Sequence, residues 1–440
     1  MQETYYEAER ELDIAGQYDV IVAGSGPSGI AAAVAAGRLG MRVLLIESLG
    51  TVGGMSTSGM MSHWTGSVRS ELYDELLHRA AQRNPYETGK VKIEIDPELL
   101  KITYYEMLRE AGVTVLLYTL VCGVMREGQR ICGVITENKS GRRAYAAEVV
   151  VDATGDGDVA FRAGAAYYKG REEDGRMQPA TLMFKVGGVD ESAPGAVFPC
   201  SFETNPEVPG GRAQDLAREK LTPPLGHVLL YRSTMPGVVT CNMTNLPDID
   251  GTKAEDLSRA EQVCRAQMEP LVTFLRACMP GFAHCYIVSA ASLIGIRETR
   301  HFLGVYQLTE EDILTARQFP DWVVRDAYFN FDVHNLRGAG LDETGVQAKF
   351  GQKSGYTIPY GALIPEKLDG LLLCGRNISG THMAHSNFRA MPICFGIGEA
   401  AGTAAALACR NGCALRSVVP SEIQQCLCRA GGESGSCAAD

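Results

Sequence analysis

The chain of 440 residues lacks any uninterrupted apolar run of the ~18 residues a membrane-spanning helix needs, so no membrane partner is expected. It lacks positive charge as well. Against 41 lysines and arginines stand 52 aspartates and glutamates, and the balance of −11 argues against nucleic acid or an anionic membrane as a partner. The opening residues, MQETYYEAERELD, lack the basic and apolar regions of a secretory signal, so a cytoplasmic location is expected. No cysteine occurs before Cys122, which removes the redox cysteine pair a disulfide reductase would carry beside its first nucleotide helix. The 14 cysteines lack zinc-type or disulfide-framework spacing, and most of them read as small buried hydrophobes in a reducing compartment. With 45% apolar and 21% charged residues, the remainder is ordinary globular sequence with room for two or three domains.

What is present begins at Tyr18. Asp19 to Ala23 is a short apolar run of the kind buried in a parallel sheet, and Gly24-Ser25-Gly26-Pro27-Ser28-Gly29 follows it. In G-x-G-x-x-G the first glycine permits the tight turn, the second admits a pyrophosphate, and the third lets the next helix pack on the strand. Pro27 stands where a first-turn proline is tolerated. Ile30 to Ala36 is small and apolar, Gly40 is the expected stop, and Met41 to Ile46 forms a second strand ending on Glu47. That acid lies near the ~20-residue offset of a group that accepts bonds from an adenosine ribose. Dinucleotide binding is therefore expected.

Further along, Gly53 and Gly54 sit in a turn-rich segment, and helical spacing occupies Arg69 to Ala81 and Asp96 to Glu110, the latter started by Asp96-Pro97. Residues 120–148 alternate as a small meander, and the buried run EVVVDA leads into Thr154-Gly155. From 176 the texture changes. Strand-like runs surround a long helical stretch from Ala254 to Cys278, with Ser258 and Glu261 spaced as a capping box and Pro270 expected to kink it. Residues 332–354 read as loop. Glycine-rich texture returns at Gly370 to Arg376 and in an alanine-rich helix starting near Cys394 and stopping at Gly412. The expected division is a first nucleotide segment at 14–175, an inserted substrate domain at 176–354, a second nucleotide segment at 355–412, and a poorly ordered tail at 413–440 carrying Cys426 and Cys428.

Taken together, the glycine turn, the acid, the second glycine pair, Asp152-Ala153-Thr154-Gly155 and Gly375-Arg376 resemble FAD-dependent oxidoreductases of the glutathione-reductase-type flavoprotein fold. Gly295-Ile296-Arg297-Glu298-Thr299-Arg300 and Thr381-His382-Met383-Ala384-His385, followed by Arg389-Ala390-Met391-Pro392, narrow the likeness to the bacterial FAD-dependent oxidoreductase family. The resemblance covers about Asp13 to Ala408. It implies an α/β fold, a discontinuous Rossmann FAD-binding domain with an inserted α+β substrate domain, and FAD as cofactor. It also implies that Gly53, Gly54, Met55 and Ser56 pass beside the pyrophosphate and flavin, and that Asp152, Thr154 and Gly155 form a second nucleotide-side contact. Three features depart from the family pattern. Met383 stands where relatives often have Glu, Gly375-Arg376 where many flavoproteins have Gly-Asp, and no histidine precedes Gly53-Gly54 for covalent flavin attachment.

A helix N-terminus with Gly396 and Gly398 in its first turns is expected to face the flavin, where free N–H groups stabilise charge on the reduced ring. On the substrate side, His382 and His385 are the expected base and its partner, with His385 favoured, because dehydrogenation needs a proton acceptor as hydride leaves. Arg297, Arg300 and Arg389 are placed to clamp a carboxylate or polarise a carbonyl, and His63-Trp64 to line the cavity. No carboxylate cluster accompanies His382-x-x-His385 in the sequence, so no metal is expected. The expected activity is dehydrogenation of a small polar CH–OH or CH–NH substrate. The alternatives are reduction of an activated C=C or C=O, or a non-catalytic flavin-binding subunit. No second G-x-G-x-x-G follows a later strand, so electrons are expected to pass through substrate, oxygen or an unidentified carrier.

Overall fold

The run Val20 to Ala23 is fully buried as the end of β1 (Ile14–Ala23), a strand that begins on exposed Ile14 and Ala15. The computed structural model describes residues 5–7, 9, 11–84, 94–341 and 352–429. Gly26 adopts an extended conformation as N-cap, and α1 (Pro27–Arg38) starts on the proline. Gly40, at φ +86°, takes the left-handed conformation that stops a helix cheaply only without a Cβ. The chain returns through β2 (Val43–Ile46), which pairs in parallel with β1 and with β3 (Thr114–Leu116). The helices between them begin on side-chain caps. The Ser70 hydroxyl accepts from Tyr73 N–H before Glu71–Arg83, and the Asp96 carboxylate accepts from Glu98 and Leu99 N–H before Pro97–Glu110.

The meander consists of β4 (Leu120–Glu127), β5 (Arg130–Asn138) and β6 (Gly141–Asp152). The buried run ending at Asp152 is not a separate strand. It is the second half of β6, whose first half pairs antiparallel with β5 while Ala144 to Asp152 runs parallel to β1. Beyond β5 the free side of β6 is taken by β7 (Leu371–Leu373), in register with Val150 to Asp152. The sheet thus draws strands from both ends of the chain. The helix α2 (Met391–Asn411) lies beside α1 against it. By length and composition α2 is apolar enough to cross a membrane, but 94% of its apolar window is buried within the protein.

A second core, from Leu182 to Ala291, forms around a four-stranded antiparallel sheet ordered Leu230–Arg232, Val239–Cys241, Phe184–Gly187 and Tyr286–Ala290. The inserted unit closes earlier than residue 354: Phe302, Leu308, Phe319, Val324 and Phe331 belong to the first core. Trp322–Tyr328 pairs there with Tyr356–Pro359 and Ser67–Arg69. The long helical stretch is two helices, Ala254–Ala266 and Met268–Cys278, meeting at Gln267. The break precedes Pro270, which falls in the first turn of the second helix, where its missing N–H costs nothing. No capping box forms at Ser258; its hydroxyl donates to the Ala254 carbonyl instead.

The tail expectation is also corrected. Pro420–Arg429 is a helix with Ile423 and Cys428 buried, fixed by the Gln424 amide donating to the Pro320 and Trp322 carbonyls. Residues 430–440 lie outside the described part, as do 342–351 of the expected loop.

Candidate active site

The three glycines of the first turn meet three different environments. A Cβ on Gly24, at φ +94°, would stand 2.4 Å from the Ala153 carbonyl oxygen, and one on Gly29 would stand 1.9 Å from the Gly24 carbonyl oxygen. A Cβ on Gly26 would meet nothing within 4 Å. Two glycines are thus packed shut and the middle one borders open space, the arrangement a pyrophosphate needs. The second glycine pair closes over it: Gly53 N–H donates to the Ser25 carbonyl at 2.8 Å, and a Cβ on Gly54 would lie 3.0 Å from Gly26 Cα. Glu47 is buried, and its carboxylate accepts from Ser25 N–H and Leu49 N–H and from the Ser25 and Ser48 hydroxyls. The backbone donors fix the carboxylate plane, and a ribose diol competes only with the two rotatable hydroxyls. These residues fit FAD.

Other expected cofactor contacts are turned into the protein. The Ser56 hydroxyl is buried, donating to the Gly53 carbonyl and sharing a 3.1 Å hydrogen bond with Tyr104. Asp152 accepts from Thr154 N–H and hydroxyl and from Ala160 N–H, and burial lifts its carboxyl to about 6 against those bonds. The Thr154 hydroxyl also accepts from Asp158 N–H. Both side chains shape the Gly155-Asp156-Gly157 loop through these bonds. Gly155, at φ +81°, lets Arg376 lie against it, and Arg376 pairs with Asp156 at 2.8 Å. Gly375 abuts the Ser28 hydroxyl, which a Cβ would approach to 2.5 Å.

α2 begins three residues before the expected Cys394. Cys394 N–H is already spent on the Ala390 carbonyl, and Ala390 and Met391 open on a cavity of about 420 Å³. Gly396 and Gly398 lie further inside the helix, against Val68 and Ser28. A Cβ on Gly398 would stand 2.1 Å from the Ser28 carbonyl oxygen, and one on Gly396 2.8 Å from Val68. Their lack of a side chain serves helix packing.

The cavity is bounded by Met55, Arg376, Arg389 and Met391 from the sheet-bearing unit and by Tyr231, Asn242, Leu229 and Met183 from the inserted one. The stretch Gly295 to Arg300 alternates its duties around it. Arg297 faces the cavity and donates to the Pro179 carbonyl at 2.5 Å. Glu298 points the other way and is fully buried, accepting from Gln178 N–H, from His301 Nε2 at 2.7 Å and from His382 Nδ1 at 2.5 Å. Burial would raise its carboxyl, but the two imidazole bonds hold it well below the usual range. Arg300 is not in the cavity; it pairs with Asp158 at 2.9 Å, donates to the Asp156 carbonyl and lies over the Phe161 ring.

The histidine expectations change accordingly. His382 is committed to Glu298. A carboxylate does accompany the histidine pair, through tertiary contact. Glu298, His301 and His382 have ligand atoms within 4.8 Å of one another, with direct hydrogen bonds from both imidazoles to the carboxylate. His385 does not line the cavity. It is buried edge-on to His301 and Phe388 with Nδ1 unpartnered, and burial, then His301, push its imidazole well below the ordinary value. Arg389 does reach the cavity but is paired with Asp332 at 2.8 Å. Trp64 is buried against Tyr73 and Phe395, whereas His63 lines the cavity, stacked on Tyr231 at 4.8 Å.

Sequence reasoning missed Asp332, His334, Tyr231 and Asn242, all of which line the cavity. His334 lies 3.5 Å from Asp332, and burial, then Arg297, lower its imidazole to about 4; burial also lowers His63. His334 is thereby uncharged at neutral pH. Nothing in the sequence ties residue 334 to 297 or 389; the Asp332-Val333-His334 spacing was the sole local signal, inside a stretch that reads as loop.

A family model described as FAD dependent oxidoreductase matches residues 19–427. A digeranylgeranylglycerophospholipid reductase of Methanococcoides burtonii is 27% identical over 218 residues, 44% of this chain and 50% of that protein. A soluble pyridine nucleotide transhydrogenase of Chromohalobacter salexigens is 27% identical over 198 residues, 41% of each chain. The match therefore spans half or less of these relatives. The structure of a geranylgeranyl bacteriochlorophyll reductase-like protein from Thermoplasma acidophilum aligns with a TM-score of 0.49 at 14% identity, covering 93% of this chain and 82% of that one.

Proposed function

The chain belongs to the FAD dependent oxidoreductase family, and from that premise we propose that it dehydrogenates a small polar molecule at a CH–OH or CH–NH carbon. The observation that carries this reading is the cavity, whose lining brings uncharged His334 together with Arg297, Tyr231 and the start of α2 at Met391. Bound FAD supplies the two-electron acceptor. Gly26 would leave room for its pyrophosphate in the turn that Gly24 and Gly29 pack shut, Glu47 would accept from the ribose, and the α2 N-terminus at Met391 would lend positive potential to a reduced flavin. His334 takes the heteroatom proton, and Asp332 steadies the imidazolium that results.

His334→Gln keeps a polar side chain but removes the base. The variant is expected to hold FAD, fold, and reduce its flavin roughly a hundredfold more slowly with substrate than the wild type does, the low end of a general base's worth. Unchanged flavin reduction in a fully loaded variant would remove His334 from the reaction.

A further inference from the structure

Three guanidinium groups border the cavity, and they are not equivalent. Arg376 has Asp156 and Arg389 has Asp332, each at 2.8 Å. Arg297 has a single hydrogen bond, to the Pro179 carbonyl, and no carboxylate within ion-pair distance among the described residues. A guanidinium carries five N–H donors in a planar fork. The buried nitrogens left without a partner include Nε of Arg300 and of Arg389 but none of Arg297, whose unpaired N–H groups therefore face the cavity space. The neighbouring acid cannot swing over to neutralise it, because Glu298 is held on the opposite side by His301, His382 and Gln178 N–H.

We infer that Arg297 is the seat of a substrate carboxylate, so that the cavity takes a monoanion of the general form R–COO⁻ with an apolar body. The inference rests on the dehydrogenase reading only in calling that monoanion the substrate. Asp332 and the exposed Glu203 also line the cavity, but neither forms an ion pair with Arg297, so its fork is open to a carboxylate through two parallel N–H···O bonds. A dianion is disfavoured, since Asp332 beside Arg389 would repel the second charge. The apolar body is matched by Met61, Met183, Phe202 and Leu229, which make up much of the remaining wall. Burial and the nearby Arg389 charge, partly offset by Asp332, lower Arg297 to about 10, which leaves it charged at neutral pH. A substrate of this class carries its CH–OH or CH–NH group on the same small skeleton as the carboxylate, within reach of His334.

The test uses hexanoate and its neutral isostere hexanamide, neither of which has a CH–OH carbon to oxidise. Binding to the oxidised, FAD-loaded protein is followed by flavin absorbance perturbation and by calorimetry. Hexanoate is expected to bind roughly ten- to a hundredfold tighter than hexanamide, the span of a hydrogen bond to a charged group. Arg297→Met should abolish that preference at unchanged FAD content, and Arg297→Lys should restore part of it. Equal affinity for the two compounds in the wild type, or an unchanged preference in a loaded Arg297→Met protein, would overturn the inference. Adding 2-hydroxyhexanoate separates the two readings. If hexanoate binds through Arg297 while 2-hydroxyhexanoate and its amino counterpart leave the flavin oxidised, the anion site stands and dehydrogenation falls. If 2-hydroxyhexanoate reduces the flavin equally fast in wild type and Arg297→Met, dehydrogenation stands and the anion site falls.

Discussion

Gly26 and Gly29 sit three positions apart in one turn and answer to opposite requirements. Gly26→Val places a side chain in open space, so the variant is expected to fold normally and to lose FAD, read as absent flavin absorbance in a protein of normal circular dichroism. Gly29→Ala drives a Cβ into the Gly24 carbonyl and should cost about 1–3 kcal/mol of stability in a denaturant titration. Full FAD occupancy in Gly26→Val would contradict the cradle.

His385 illustrates how far a sequence pattern reaches. The His-x-x-His spacing is visible in the chain, but which ring faces a cavity depends on what packs against the other side. Glu298 captures His382, and His301 with Phe388 covers His385. For His385→Ala the expected outcome is lowered stability with little change in the pH profile of flavin reduction. For His334 the imidazole sits at about 4, so the proton acceptor stays available down to that pH. The rate of flavin reduction should be flat with respect to this group above pH 5 and fall as pH drops through about 4. A break at the ordinary histidine value would point to another base.

At the scale of elements, the pairing of α1 with α2 is set by backbone contact. A Cβ on Gly398 would strike the Ser28 carbonyl oxygen, and one on Gly402 would strike that of Ala32, each at 2.1 Å, one helical turn apart on both helices. Gly402→Ala, remote from the cavity, is expected to lose about 1–3 kcal/mol in denaturant unfolding, with FAD affinity falling only as the fold loosens. The glycines were legible as closeness, and the sequence could not say closeness to what, since a cofactor and a neighbouring helix demand the same missing side chain.

α2 also carries buried Glu399, whose carboxyl burial raises to about 7 despite a hydrogen bond from the Ser70 hydroxyl. A folded value above the unfolded one means the native state keeps this proton longer. The corresponding stability is complete below about pH 4.5, declines as pH rises, and is gone above about 7. Glu399→Gln should therefore be more stable than the wild type at pH 8 by roughly 3 kcal/mol, with the advantage vanishing near pH 4. An advantage that persists at pH 4 would assign the gain to packing.

Across the whole molecule, local chemistry predicted local structure well. The strand–turn–helix at Tyr18 to Arg38, the Asp96-Pro97 helix start and the Gly40 stop need only short-range sterics, and each is where the sequence places it. The return of the chain to the sheet at Leu371 to Leu373 was legible as repeated texture. The end of the inserted unit was not, because Phe302 to Phe331 have the composition of either core and only tertiary packing assigns them to the first. The cavity shares that limit: Tyr231, Arg297, His334 and Arg389 come from segments far apart in the chain, joined by insertion of one unit into another.

That joining makes the central claim testable on the intact protein in one measurement. Under anaerobic conditions the FAD-loaded wild type is titrated with small hydroxy acids and amino acids while the oxidised-flavin absorbance is followed. The account predicts stoichiometric loss of that absorbance with at least one of them, at a rate that saturates with concentration. Absorbance that stays unchanged across the set, while chemically reduced flavin is reoxidised by an activated C=C or C=O compound, would contradict dehydrogenation and assign the cavity to reduction.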